Sequence, residues 1–340
     1  MFFIFVVAIL FLTPKFIESG GTTQNLKEIF IGRCWHYQVL AKENKIDELK
    51  TIVNCTKLWN EFYASFAFKN PCDVTKNSYK PFFEMLENPK KIRNAMFWSG
   101  SSTLVHQFTF INDQHIVLEE TMTGYLMNEL TWCGSPTTPD GLNYTKCNAK
   151  NNVCNAMYPA WFIASKKFAE RAAGISHVLL NGSRPDNNPA YLKGSFFRSV
   201  EVPYLKIDKL IALVATNIGT NKREYCGSPS LRELEKDTAA LNINFECVDQ
   251  PLLVLRIYCL KIPQAPECDP KNFPVGNDRY SSSSEFEDIR LWKISCFTLV
   301  AVVASVLLFL GLSYVRKQYF QKHFTLNYSI SSSKPIVNDV

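Results

Sequence analysis

The sequence contains no Gly-x-Gly-x-x-Gly, no P-loop, no Gly-x-Ser-x-Gly and no His-Glu-x-x-His. Dinucleotide-fold redox chemistry, P-loop phosphoryl transfer, nucleophile-elbow hydrolysis and zincin proteolysis therefore lack their usual sequence carriers. Histidines are few and scattered: His36, His106, His115, His177 and His323. His106 and His115 could share a site, but no ligand spacing and no Cys-x-x-Cys pair points to a metal, so neither metal nor cofactor is expected. No Lys/Arg run with interleaved aromatics appears between residues 22 and 293, which argues against a nucleic-acid partner. No repeat of fixed period is present.

The two ends carry what charge and motifs do not. Phe2 to Leu12 is an apolar block, too short for the ~20 residues a bilayer requires, and Ser19-Gly20-Gly21 follows as a small-residue cleavage site. Residues 1–21 are read as a signal peptide. Residues 294–315 hold no charged side chain and are flanked by Lys293 and by Arg316-Lys317, the pattern of a transmembrane helix. The tail, 316–340, has Arg316, Lys317, Lys322 and Lys334 against Asp339, and so belongs in the cytoplasm by the positive-inside rule. Much of the formal charge of +6 sits in that tail. The expectation is a single-pass type I plasma-membrane protein with residues 22–270 outside and 271–293 as a polar stalk; a lipid (GPI) anchor is the alternative, disfavoured by the polar tail.

Of eleven cysteines, Cys296 falls in the apolar segment; the even remainder in an oxidising compartment implies five disulfides. The sequons at Asn54, Asn143 and Asn181 agree with export, and the one at Asn327 would face the cytosol. A homodimer is compatible with the sequence and not specified by it.

Between the ends, residues 25–67 show apolar spacings of three and four (Leu58, Phe62, Phe66), hence short helices, and 79–92 continue in kind. Ala95 to Trp98 is a buried strand or turn running into the loop Ser99-Gly100-Ser101-Ser102. Glu119 and Glu120 stand near a helix start. Residues 159–174 form the clearest helix, with Trp161, Ala164, Phe168 and Ala172 on one face. Residues 175–180, 210–216 and 252–260 read as buried strands, and Ser230 to Glu233 opens a helix with a capping box. The fold expected is α/β: a mostly helical N-terminal subdomain, then an α/β subdomain with a small parallel sheet.

Chemistry must come from Trp98, Trp161, Glu119, Glu120 and Glu201. Taken singly, the tryptophans read as core and the paired acids as a solvated helix start. Glu201, at the end of the mostly apolar Gly194–Val202, reads singly as an edge-strand acid. Together, two indoles and two carboxylates suit cleavage of a glycosidic bond to a flat cationic ring. Indole faces attract cations, and a carboxylate near an anomeric carbon stabilises an oxocarbenium-like transition state. A conventional glycoside hydrolase using Glu119 and Glu201 as its pair fits the same residues.

Phe97-Trp98-Ser99, Leu118-Glu119-Glu120-Thr121, Leu130-Thr131-Trp132-Cys133-Gly134, Trp161 with Phe168 to Ala173, Leu180-Asn181-Gly182-Ser183 and Ser199-Val200-Glu201-Val202 closely resemble the ADP-ribosyl cyclase / NAD glycohydrolase family. The likeness runs from about Cys34 to Cys268. It implies disulfides Cys34–Cys55, Cys72–Cys154, Cys133–Cys147, Cys226–Cys247 and Cys259–Cys268. It also implies Glu201 as the catalytic carboxylate, Trp98 and Trp161 as walls for nicotinamide, and Glu119 as the acid that meets the carboxamide and influences whether the intermediate is hydrolysed or cyclised. Ser99, Ser165 and Phe197 match positions on the ribose and phosphate side. Phe196 places a bulky ring that could exclude water. Asn128 stands where relatives can have an acid, and Gly100 and Ser102 where some vertebrate members have basic residues. The resemblance implies an extracellular enzyme that takes NAD as substrate, giving mainly nicotinamide and ADP-ribose with some cyclic ADP-ribose. A catalytically weak receptor or adhesion ectodomain on the same scaffold is the alternative.

Overall fold

The computed structural model describes residues 20–40, 52–148, 153–185, 188–216 and 223–261, with Pro263 and Cys268. The signal-peptide core, the stalk, the expected spanning segment, the tail and Asn327 lie outside the described residues. Among those described, no helix is long and apolar enough to cross a membrane.

The chain enters through two helices, α1 (Leu26–Leu40) and α2 (Cys55–Ala64), stapled by Cys34–Cys55. Asn54 starts α2 by accepting the Lys57 amide at 2.9 Å, satisfying one of the donors a helix start leaves open. Cys55, Leu58, Trp59 and Phe62 then fall on one buried face. Phe62 stacks on Phe30 of α1 at 4.6 Å and meets the Trp132 ring edge-on at 5.1 Å. Each such fully buried side chain contributes about 1.5–3 kcal/mol. The polar atoms in this aromatic core are satisfied: Trp132 Nε1 donates to Tyr79 Oη at 2.7 Å, and that hydroxyl donates to the Ala156 carbonyl at 2.7 Å.

After the short α3 (Lys80–Met85) come β1 (Ile92–Arg93) and β2 (Met96–Ser99). The helices α4 (Ser102–Ile111), α5 (Met122–Met127) and α6 (Met157–Arg171) follow. Then come β3 (Ala172–Ala173), β4 (Ile175–Asn181), β5 (Lys209–Ala215), α7 (Pro229–Ala240), β6 (Asn244–Asp249) and α8 (Leu252–Lys261). The main sheet is four-stranded and parallel, in the order β2-β4-β5-β6, while β1 and β3 form a separate parallel pair. Residues 176–181 of β4 and 210–215 of β5 are buried throughout, as central parallel strands covered on both faces should be. Among the described residues five disulfides are present, in the pairings the family resemblance implies.

Three expectations need correction. The helical and α/β parts are not consecutive, because β2, from the first half of the chain, is an edge strand of the main sheet. Residues 252–260 form a helix, not a strand: Leu252, Leu253, Val254 and Leu255 bury the whole first turn and the apolar run continues to exposed Leu260, so no helical period shows in the sequence. Helix α7 starts two residues earlier than the capping box implied, with Ser228 at its N-cap, while Ser230 Oγ donates to buried Glu224 at 2.8 Å.

Candidate active site

A cavity of about 400 Å³ opens where β2 and β4 end. The carboxyl ends of parallel strands are where α/β sheets commonly place ligands. The end of β2 supplies Trp98, Ser99 and Gly100, and a 3-10 turn at Leu118–Glu120 supplies Glu119. Helix α6 presents Trp161, Ser165 and Phe168, spaced four and three along one face. Asn128, Phe196 and Glu201 also line the cavity.

Glu201 ends a single wide π-helical turn, Phe197–Glu201, closed by the Val202 amide donating to the Phe197 carbonyl. Such turns are rare in proteins and recur at functional sites. Pro203 follows within a short 3-10 turn and has no N–H with which to extend the wide ladder. Phe197 and Val200 anchor the turn in the core, leaving the Glu201 carboxylate at the cavity with only 7% of its surface exposed.

Phe197, matched by resemblance to the ribose and phosphate side, sits deeper. It is 1% exposed and outside the cavity lining, its ring 5.9 Å from that of Phe97 and 6.0 Å from that of Tyr191, so it supports the turn from beneath. Its neighbour Phe196 takes the cavity side, with its ring 5.3 Å from Tyr158. Asn181, expected as a glycosylation site, is tied in between the ends of β2 and β4. It is buried, its Nδ2 donates to the Gly100 carbonyl at 3.0 Å, and its Oδ1 accepts the Ser183 amide at 2.8 Å. Asn54 is exposed and Asn143 half-buried. The adjacent acids divide: Glu120 is held by the Val117 amide at 3.0 Å, whereas Glu119 faces the cavity and accepts from Trp98 Nε1. Arg184, which the sequence did not single out, also lines the cavity. Its only signal was proximity to the Asn181-Gly182-Ser183 motif. Among the described residues, His, Cys, Asp and Glu form no group of three that could hold a metal ion.

The family model for ADP-ribosyl cyclase matches residues 23–268. The chain belongs to the ADP-ribosyl cyclase family. It is 35% identical over 254 residues to the ADP-ribosyl cyclase/cyclic ADP-ribose hydrolase of Aplysia californica, covering 74% of this chain and 89% of that one. With the ADP-ribosyl cyclase/cyclic ADP-ribose hydrolase 1 of Mus musculus it shares 34% over 270 residues, 77% and 86% of the two chains. An ADP-ribosyl cyclase solved with N1-cIDPR is similar at a TM-score of 0.66 and 34% identity, covering 73% of this chain and 98% of that one. Porcine CD38 with a covalent intermediate, ribo-F-ribose-5'-phosphate, is similar at 0.61 and 30%, covering 68% and 99%.

In this member of the ADP-ribosyl cyclase family the two cavity carboxyls share one desolvated space. Burial, then the nearby Glu119 charge, raises the Glu201 carboxyl to about 8, opposed by a hydrogen bond from the Ser165 hydroxyl. Burial also raises Glu119, against its own backbone amide, the charge of His106 and the Trp98 N–H. Two acids whose charged forms are disfavoured, flanked by two indoles, make a site complementary to a cationic aromatic ring.

Proposed function

We propose that the chain cleaves the nicotinamide–ribose bond of NAD, yielding nicotinamide and ADP-ribose as the main products and cyclic ADP-ribose as a minor one. The observation that carries this is the placement of buried Glu201 in one cavity with Trp98, Trp161 and Glu119. The curated relatives named above support the class of reaction.

The nicotinamide ring of NAD is cationic and departs neutral, so the site needs orientation and charge stabilisation more than a strong acid. The indoles hold the ring, and Glu119 accepts from the carboxamide. Arrival of the pyridinium charge favours the ionised form of Glu201, which then faces the ribose carbon as the C–N bond breaks. The bonding pair leaves with nicotinamide, and the ribosyl cation is held by, or bonded to, the Glu201 carboxylate. Water attack gives ADP-ribose and releases one proton; attack by the adenine ring gives the cyclic product. Phe196, beside Tyr158, and Glu119 bear on that partition. Hydrolysis leads because water is abundant and cyclisation needs a constrained pose.

The same proposal places the cavity outside the cell, with 294–315 as the membrane anchor. Five disulfides support an oxidising compartment. Incubating the full chain with NAD and separating nicotinamide, ADP-ribose and cyclic ADP-ribose by chromatography tests the function. Nicotinamide release with ADP-ribose in excess is expected; a folded chain that releases none overturns it.

A further inference from the structure

The cavity presents two carboxylates and a single Lys or Arg side chain, that of Arg184, among its lining residues. A dinucleotide brings a pyrophosphate with two negative charges, and closing those charges against carboxylates alone would be strongly unfavourable. Arg184 follows the carboxyl end of β4, next to the end of β2. Its Nη2 donates to Ser99 Oγ at 2.6 Å. Having accepted that bond, the serine hydroxyl keeps its own proton to donate onward.

The backbone beneath is shaped for this side chain. Gly100 has φ +71, and a Cβ there would lie 2.6 Å from Arg184 Cζ and 2.8 Å from Nη2. The guanidinium thus lies against a backbone position whose positive φ favours glycine. The loops that carry the two residues are tied together: Asn181 Nδ2 holds the Gly100 carbonyl, and Ser101 Oγ donates to the Leu179 carbonyl at 2.7 Å. A planar fork fixed in advance loses little freedom on gripping an anion.

We propose that Arg184 anchors the pyrophosphate of the dinucleotide, with the Ser99 hydroxyl as its second donor. This rests on NAD as the substrate. The anchor explains how a site that favours a cation at one group also accepts a dianion at another: opposite charges are met by separate side chains.

The test compares wild type, Arg184→Gln and Arg184→Lys in the full chain. Binding of ADP-ribose and of nicotinamide is followed by intrinsic tryptophan fluorescence, and kcat and KM are measured for NAD and for nicotinamide riboside, which has no phosphate. Arg184→Gln is expected to weaken ADP-ribose binding and raise KM for NAD by about ten- to hundredfold. The NAD-to-riboside ratio of kcat/KM falls by the same factor, and Arg184→Lys recovers part of the loss. Equal losses on NAD and riboside, or unchanged ADP-ribose binding, would overturn the assignment and leave Arg184 as a loop tie. If wild type binds ADP-ribose but does not cleave NAD, the catalytic proposal fails, and the binding arm alone decides for or against Arg184.

Discussion

The indole Nε1 of Trp98 donates to the Glu119 carboxylate, 3.2 Å from one oxygen and 3.4 Å from the other. Trp98 lies near the end of β2 and Glu119 sits on a turn 21 residues later, so one hydrogen bond joins a ring wall of the cavity to the acid assigned to the carboxamide. Trp98→Phe keeps a flat face and removes the N–H. It is expected to lower kcat/KM for NAD by about tenfold, the usual worth of a hydrogen bond to a charged group, and to shift the ratio of cyclic to linear product severalfold. Trp98→Ala, which also removes the face, should cost more. Product chromatography over matched turnover reads both effects.

Glu201 gives the reaction its pH dependence. With the carboxyl raised to about 8 by burial and then by Glu119, the ionised fraction is small at acid pH and grows through neutrality. The kcat/KM for NAD is expected to rise with pH and level off near that value. Glu119→Gln removes the repelling charge and should move the limb to lower pH. A profile flat between about pH 5 and 9 would count against the assignment.

The same group affects stability with a definite sign. Its folded pKa, about 8, lies above its ordinary value of 4.5, so the folded state holds the proton more tightly. The stability it contributes is fully present below about 4.5 and is lost as pH rises through about 8. Glu201→Gln, which never ionises, should therefore have the higher melting temperature at pH 8 and lose that advantage by pH 4. Thermal melts at the two pH values check this.

His115 and His177 form a buried pair, Nε2 to Nδ1 at 3.2 Å, with ring centroids 4.5 Å apart. Phe108 lies against His115, and the charge of Lys209 acts on His177. Burial lowers His115 to about 4; burial, then His115 and Lys209, lowers His177 to about 3. Folded values below the usual 6.5 mean that the stability is present above about 6.5 and is lost as pH falls through 4 toward 3. His115→Gln is expected to weaken the fold modestly at pH 7 and to flatten the loss on acidification, measured by denaturant unfolding at pH 7 and pH 4.5.

Periodicity made α2 and α6 legible, because each buries one stripe and wets the other. Strands β4 and β5 were legible as short apolar runs. Helix α8 was not, since its first turn is buried all round and its exposed Leu260 is apolar too, which leaves no visible period. Strand β6, with Glu246 and Asp249 on a half-exposed edge, carries too little apolar signal. In the site, Trp98, Glu119, Trp161 and Glu201 could be found by family resemblance. The opposed directions of Phe196 and Phe197 could not, because a π turn redirects side chains in a way no spacing encodes. Arg184 and the partnership of His115 with His177, rather than with His106, depend on β4 lying beside β2, a pairing between strands about eighty residues apart.

The central claim is that the Glu201 carboxylate drives departure of nicotinamide. Its most direct test is the rate of nicotinamide release from NAD by wild type and Glu201→Gln, prepared as the full chain with disulfides and circular dichroism compared. A loss of at least about a thousandfold with an unchanged fold and retained ADP-ribose binding is the predicted result. A correctly folded Glu201→Gln chain that releases nicotinamide at near the wild-type rate would contradict the account.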